Sequence, residues 1–116
     1  MKTIFKVLAI VFTLYFLWGA YVQNNDPDAT LWYAIYGVSA IASLLFLFDK
    51  LPFVAAISLF VCFIGGVIFF WPTAFEGVTI GEGDIKNIEE GRESLGLLVN
   101  AVVMLLFAWR IKADRN

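Results

Sequence analysis

Two groups of oxygen-bearing side chains hold most of the chemistry this chain can perform. The first is Gln23, Asn25, Asp26 and Asp28. The second is Glu89, Glu90 and Glu93, with Arg92 among them and Asn100 two helical turns further on. Carboxylate and amide oxygens are what a hard divalent cation such as Ca2+ takes, about six to eight at a time. The same residues can instead receive a cationic headgroup, with Trp32 and Tyr36 offering aromatic faces to a quaternary ammonium. A pair such as Glu93 and Asp28 can also serve as acid and base if one of them is partly buried. Ordinary helix chemistry competes with all three. Carboxylates near a helix N-terminus stabilise the macrodipole by about 0.3–1 kcal/mol each, and Arg92 paired with Asp28 would simply pin two helices together. Asn100 reads first as an interhelical hydrogen-bonding group.

Other chemistry is missing from the sequence. There is no histidine among the 116 residues, which removes the commonest transition-metal ligand and the usual neutral-pH acid–base group. The acidic residues follow no EF-hand spacing, so a metal is left undecided. No conventional nucleophile, cofactor motif or phosphate-cradling loop is present. We therefore assign no catalytic residue and expect no cofactor, and catalysis is the least supported of the readings. The net charge of -2 leaves no basic patch for nucleic acid. Cys62 has no partner in the chain and reads as a small apolar filler.

The elements that position these residues are membrane spans. With 61% hydrophobic and 16% charged residues, the chain has too little polar surface to clothe a soluble domain of this size. A bilayer-crossing helix needs about 20 mainly apolar residues. Four stretches qualify, and the expected helices are about 3–22, 27–49, 52–71 and 85–112, in one domain covering residues 1–116. Lys2 and Lys6 ahead of the first apolar run resemble the start of a signal peptide. The cleavage site near Trp18-Gly19-Ala20 would place a bulky Trp where a small residue is wanted, so the segment is read as a retained helix.

Local chemistry marks the helix limits. Asp26-Pro27 reads as an N-cap with proline in the first helical position. Leu51-Pro52 opens the third helix after a short turn at Asp49-Lys50, and Pro72 closes it. Residues 73–84 form an outer loop with three glycines, and Asp84 is placed to cap the fourth helix.

Charge sets the orientation. Lys2, Lys6, Lys50, Arg110, Lys112 and Arg115 fall on one side, against Lys86 and Arg92 on the other. The positive-inside bias then places both termini in the cytoplasm, in an inner or plasma membrane, as an even number of spans requires. Trp18, Tyr21, Trp32, Tyr33 and Trp71 at the outer edge and Trp109 at the inner read as interfacial anchors. The fold expected is an all-α, four-helix antiparallel membrane bundle, N-in and C-in.

Two stripes can meet in such a bundle. Glu89, Glu93, Gly96 and Asn100 share one face of helix four, and Asp28, Trp32, Tyr36, Ser39 and Ser43 share one face of helix two. Small residues allow close packing in lipid, and polar groups there are best satisfied by another helix. The expectation is that Gly96 lies near Tyr36 and Arg92 near Asp26 or Asp28. A pocket at the outer headgroup level would then be floored by Trp32 and Tyr36.

Val22-Gln23-Asn24-Asn25-Asp26-Pro27-Asp28, followed by Trp32 and Tyr36, resembles the VQxNDPD…W…Y signature of the transmembrane protein 220 family. Glu89-Glu90-Gly91-Arg92-Glu93, then Gly96, is similar to that family's EEGRE…G segment. The resemblance implies a small multi-pass helical membrane protein with both segments on its outer surface, and leaves the activity open. Three roles follow. The cluster binds a cation, a lipid headgroup or a partner; or it only latches helices two and four in an assembly protein; or paired carboxylates catalyse. The expected partners are membrane lipids and further membrane protein, either copies of this chain or another subunit. Small residues at Ser39, Ser43, Gly65 and Gly66 favour such association. No Asp, Glu, Lys or Arg lies in the middle of a span, which disfavours ion-coupled transport.

Overall fold

The computed structural model describes residues 3–24, 29–77, 81 and 83–114. They form four helices: α1 (Thr3–Tyr21), α2 (Ala29–Leu47), α3 (Phe53–Phe70) and α4 (Ile85–Asp114). There is no β-strand among the described residues. All four helices are long and apolar enough to cross a membrane. The proposed N-cap at Asp26-Pro27 lies outside the described residues.

The helix ends follow from local bonding. At the end of α1 the backbone bonds tighten from Val22 N–H to Trp18 C=O, 3.0 Å, to Gln23 N–H to Ala20 C=O, 3.1 Å. α2 stops in a Schellman motif. Lys50 N–H donates to Leu45 C=O at 2.7 Å and Asp49 N–H to Phe46 C=O at 3.1 Å, with Asp49 left-handed at φ 61°. Asp49 tolerates that conformation better than most residues, though less readily than glycine. α3 ends where Pro72 can no longer donate, after Trp71 N–H bonds Ile68 C=O at 3.4 Å. The thirty residues of α4 reach about 45 Å, longer than the hydrocarbon core.

The chain divides into two compact units, Met1–Ala56 with Phe107–Asn116, and Ile57–Leu106. In the first unit α1 packs on α2. The buried residues of α1, Ala9, Thr13 and Phe16, recur at spacings of four and three, so one face turns inward while Ile10, Val11, Leu14 and Leu17 stay exposed. The Tyr36 ring lies against Gly19, where an added Cβ would sit 2.9 Å from two ring carbons. Phe107 stacks on Phe46 with centroids 4.2 Å apart and meets Phe12 edge-on at 6.0 Å.

In the second unit α3 and α4 are joined by Ser94 Oγ donating to Val67 C=O at 3.2 Å and by Leu97 seated on Gly66. Only 11% of the apolar window of α3 and 17% of that of α1 is buried, against 44% for α4, so α3 and α1 both leave most of their apolar surface for lipid. Two sequence expectations change here. Cys62 is exposed on α3 and fills no core. Trp32 is 2% exposed, so it cannot be an interfacial anchor, whereas Trp18, Tyr21, Tyr33, Trp71 and Trp109 are all exposed.

Three polar side chains inside the spans each donate a hydrogen bond to their own helix. Thr13 Oγ1 donates to Ala9 C=O at 2.7 Å, Ser43 Oγ to Ser39 C=O at 2.9 Å, and Asn100 Nδ2 to Gly96 C=O at 2.8 Å. In lipid these groups have no water to fall back on, and the carbonyl four residues back is the nearest acceptor.

Candidate functional site

The amino-terminal turns of α4 form an ordered polar head. Asp84 caps the helix: its Oδ1 accepts from Lys86 N–H at 2.9 Å, and its carbonyl accepts the first helical bond from Ile88 N–H at 3.0 Å. Glu76, eight residues upstream in the loop, clasps the same end. Its Oε2 accepts from Asp84 N–H at 3.2 Å and its Oε1 from Asn87 Nδ2 at 2.6 Å. An acidic side chain there suits the orphan N–H groups and the positive end of the helix dipole.

The loop also lies on the helix. Trp71 stacks on Phe75, with centroids 5.2 Å apart and planes 12° apart. A Cβ at Gly91 would meet the Gly77 carbonyl oxygen at 3.1 Å and the Phe75 ring at 3.3 Å. Gly77 itself takes φ 88°, a conformation that favours glycine and lets the chain turn back over α4. The glycine within Glu89-Glu90-Gly91-Arg92-Glu93 is thus the seat of the loop.

The expected site residues fall into distinct settings. Glu89 is exposed, and Glu90 and Glu93 are half-buried. Glu90 heads the face of α4 that continues through Ser94 and Leu97, the residues that touch α3. Its Oε1 is buried and meets no hydrogen-bond donor among the described residues. Arg92 is exposed and Asn100 is fully buried. At the other segment Gln23 closes the end of α1, its Nε2 donating to Gly19 C=O at 3.2 Å. Trp32 and Tyr36 are both buried, with ring centroids 6.5 Å apart, and Tyr36 also neighbours Phe16 at 6.3 Å. Asn25, Asp26 and Asp28 lie outside the described residues, and with them the expected approach of Arg92 to Asp26 or Asp28.

Among the described residues no three Asp, Glu or Cys side chains gather closely enough to hold a metal ion. What the head does provide is surface negative charge at Glu89 beside a sheltered carboxylate oxygen at Glu90. Such a pair can attract a cation from outside and give it a partner that water does not already occupy.

Sequence reasoning passed over Phe75, Glu76, Gly77, Asn87 and Ser94, which shape this head. The glycines of the loop were the one available signal, since a left-handed turn needs them. No solved structure matches the chain significantly. A family described as "Transmembrane family 220, helix" matches residues 15–109. That stretch covers α2 and α3 entirely and takes in both polar segments. With four membrane-crossing helices and a match over most of its length, the chain belongs to transmembrane family 220 and is a multi-pass helical integral membrane protein.

Proposed function

We propose that this protein is a non-catalytic binding module, an antiparallel four-helix bundle with both termini cytoplasmic, whose outer polar head receives the cationic group of a lipid headgroup. The antiparallel course is supported within the first unit. Phe16 and Gly19, late in α1, meet Tyr36 early in α2, while Phe5 at the start of α1 lies 6.2 Å from Trp109 near the end of α4. The orientation rests on the positive-inside bias of the six cations named above against Lys86 and Arg92.

The observation that carries the binding reading is Glu90. A buried acceptor without a donor costs about 1–3 kcal/mol, and more when charged, so the site gains by admitting a cationic group. A headgroup amine suits it better than a bare metal, because the described carboxylates do not converge on one point.

A second reading, an assembly protein whose head is purely structural, is favoured by the Glu76 clasp, which already consumes one acidic side chain as a helix cap. One experiment separates them. Thermal stability of the detergent-purified protein is measured with phosphocholine, ethanolamine and Ca2+, beside Glu90→Gln. Binding predicts that phosphocholine or ethanolamine raises the Tm of wild type and leaves the variant unmoved. If no probe shifts wild type and Glu90→Gln alone lowers the Tm, the head is structural.

A further inference from the structure

The basic end of the first unit has its own architecture. The charged residues described there are Lys6, Lys50, Arg110 and Lys112, against Asp49 and Asp114. The sequence adds Lys2 and Arg115 to the same termini. Arg110 is held rather than free. Its guanidinium carbon lies 4.8 Å over the Phe5 ring, and its Nη2 bonds Asp114 Oδ1 at 2.8 Å. Only 16% of its side chain is exposed, and its Nε is buried with no acceptor among the described residues.

Phe5 in turn neighbours Trp109, which is 58% exposed. An exposed Trp beside a basic cluster at a span end belongs at the headgroup level of the bilayer. Lys6, next to Phe5, and Lys112, two residues beyond Arg110, are both exposed.

We propose that this end binds an anionic phospholipid headgroup at Arg110, that the exposed Lys6 and Lys112 add positive charge at the same span end, and that Asp114 competes for the same guanidinium. A phosphate oxygen pair matches the planar fork of N–H donors on arginine, a geometry lysine cannot copy. Phe5 holds the guanidinium carbon over its ring, which reduces the ordering that binding demands. The Arg110–Asp114 pair is an i,i+4 contact with Asp114 37% exposed, a weak class of ion pair that a lipid phosphate can displace. Asp114 therefore lowers affinity for any anion, and its removal frees the fork.

The test counts lipids bound to the detergent-purified, full-length protein by native mass spectrometry. Phosphatidylglycerol is compared with diacylglycerol of the same acyl chains. The expected result is preferential binding of phosphatidylglycerol, strengthened in Asp114→Asn and weakened about fivefold in Lys112→Gln, the effect of one cation near an anionic surface. Arg110→Lys keeps the charge and should still weaken binding, because the fork is lost. Equal uptake of the two lipids overturns the proposal, and so does an Asp114→Asn variant no better than wild type. Displacement of phosphatidylglycerol by low-millimolar inorganic phosphate would show a small-anion site and overturn the lipid assignment.

Discussion

Two helix joints in this protein use the same device, a glycine facing a large side chain, and differ in how far that side chain can yield. A Cβ added at Gly19 would stand 2.9 Å from Cδ1 and Cε1 of Tyr36, and one added at Gly66 would stand 2.9 Å from Cδ1 of Leu97. The distances agree and the neighbours do not. Tyr36 is a rigid ring, 8% exposed, set between Trp32 on its own helix and Phe16 on α1. Leu97 is buried too, at 2% exposed, but what it presents to Gly66 is the methyl end of a flexible branched chain rather than a ring, and it faces the sparsely buried α3. In lipid, helices gain nothing from hydrophobic exclusion between them, so close approach and van der Waals contact carry association. Tolerance at such a joint is then set by the freedom of the opposing side chain, since the closeness of the two joints is equal.

The largest effect should come from breaking the rigid joint. Gly19→Val places a branched side chain where one methyl already collides with the Tyr36 ring. Overpacking of this kind costs about 1–3 kcal/mol. A melt in detergent should show a clear loss of Tm, and Gly19→Val combined with Tyr36→Ala should recover part of it. An unchanged melt would mean that α1 and α2 are held elsewhere, for example by Phe12 and Phe46 on Phe107.

A smaller effect, with opposing terms, is expected at Gly91. In an exposed helix interior Gly→Ala gains about 1 kcal/mol of helix propensity. Here the new methyl would meet the Gly77 carbonyl oxygen at 3.1 Å and the Phe75 ring at 3.3 Å, so the loop must give way. Gly91→Ala should leave the Tm nearly unchanged while loop residues 73–83 become easier to cleave by protease. Unchanged cleavage would show that the loop accommodates the methyl in place.

These joints also show what the sequence could reveal. The stripe Trp32, Tyr36, Ser39 and Ser43 was legible from spacing alone, and all four residues are buried. Asp84 was legible because a cap needs only its immediate neighbours. The partner of Tyr36 across the first joint was not, since Gly19 reads as one small residue within an apolar run. On α4 Ser94, Leu97, Asn100, Ala101, Met104 and Phe107 are all buried on one broad face, yet the exposed positions between them, Leu98, Val99, Val102 and Leu105, are apolar as well. Periodicity flattens when nearly every position is apolar, because in a membrane an apolar residue faces lipid as readily as protein. The same ambiguity hid the exposure of Cys62. The fold-back of Phe75, Glu76 and Gly77 is a contact at longer range, with no local spacing to announce it.

The smallest effect should be at the yielding joint, and it tests the comparison most directly. Gly66→Ala creates the same 2.9 Å approach as an alanine at Gly19 would. Leu97 can rotate its methyl away, and Ser94 Oγ still holds Val67 C=O one turn along α4. The alanine also adds contact area against α4 and restrains the unfolded chain, which at compatible sites favours the native state by about 0.4–1 kcal/mol. The two terms nearly cancel, and the Tm should move by no more than about two degrees for a change of a few tenths of a kcal/mol in a chain of this size. Gly19→Ala, measured beside it, should fall distinctly further, because the Tyr36 ring has no second position to take. If the two alanines cost the same, the freedom of the opposing side chain is not what sets tolerance. Closeness of the backbones would then be the governing quantity at both joints.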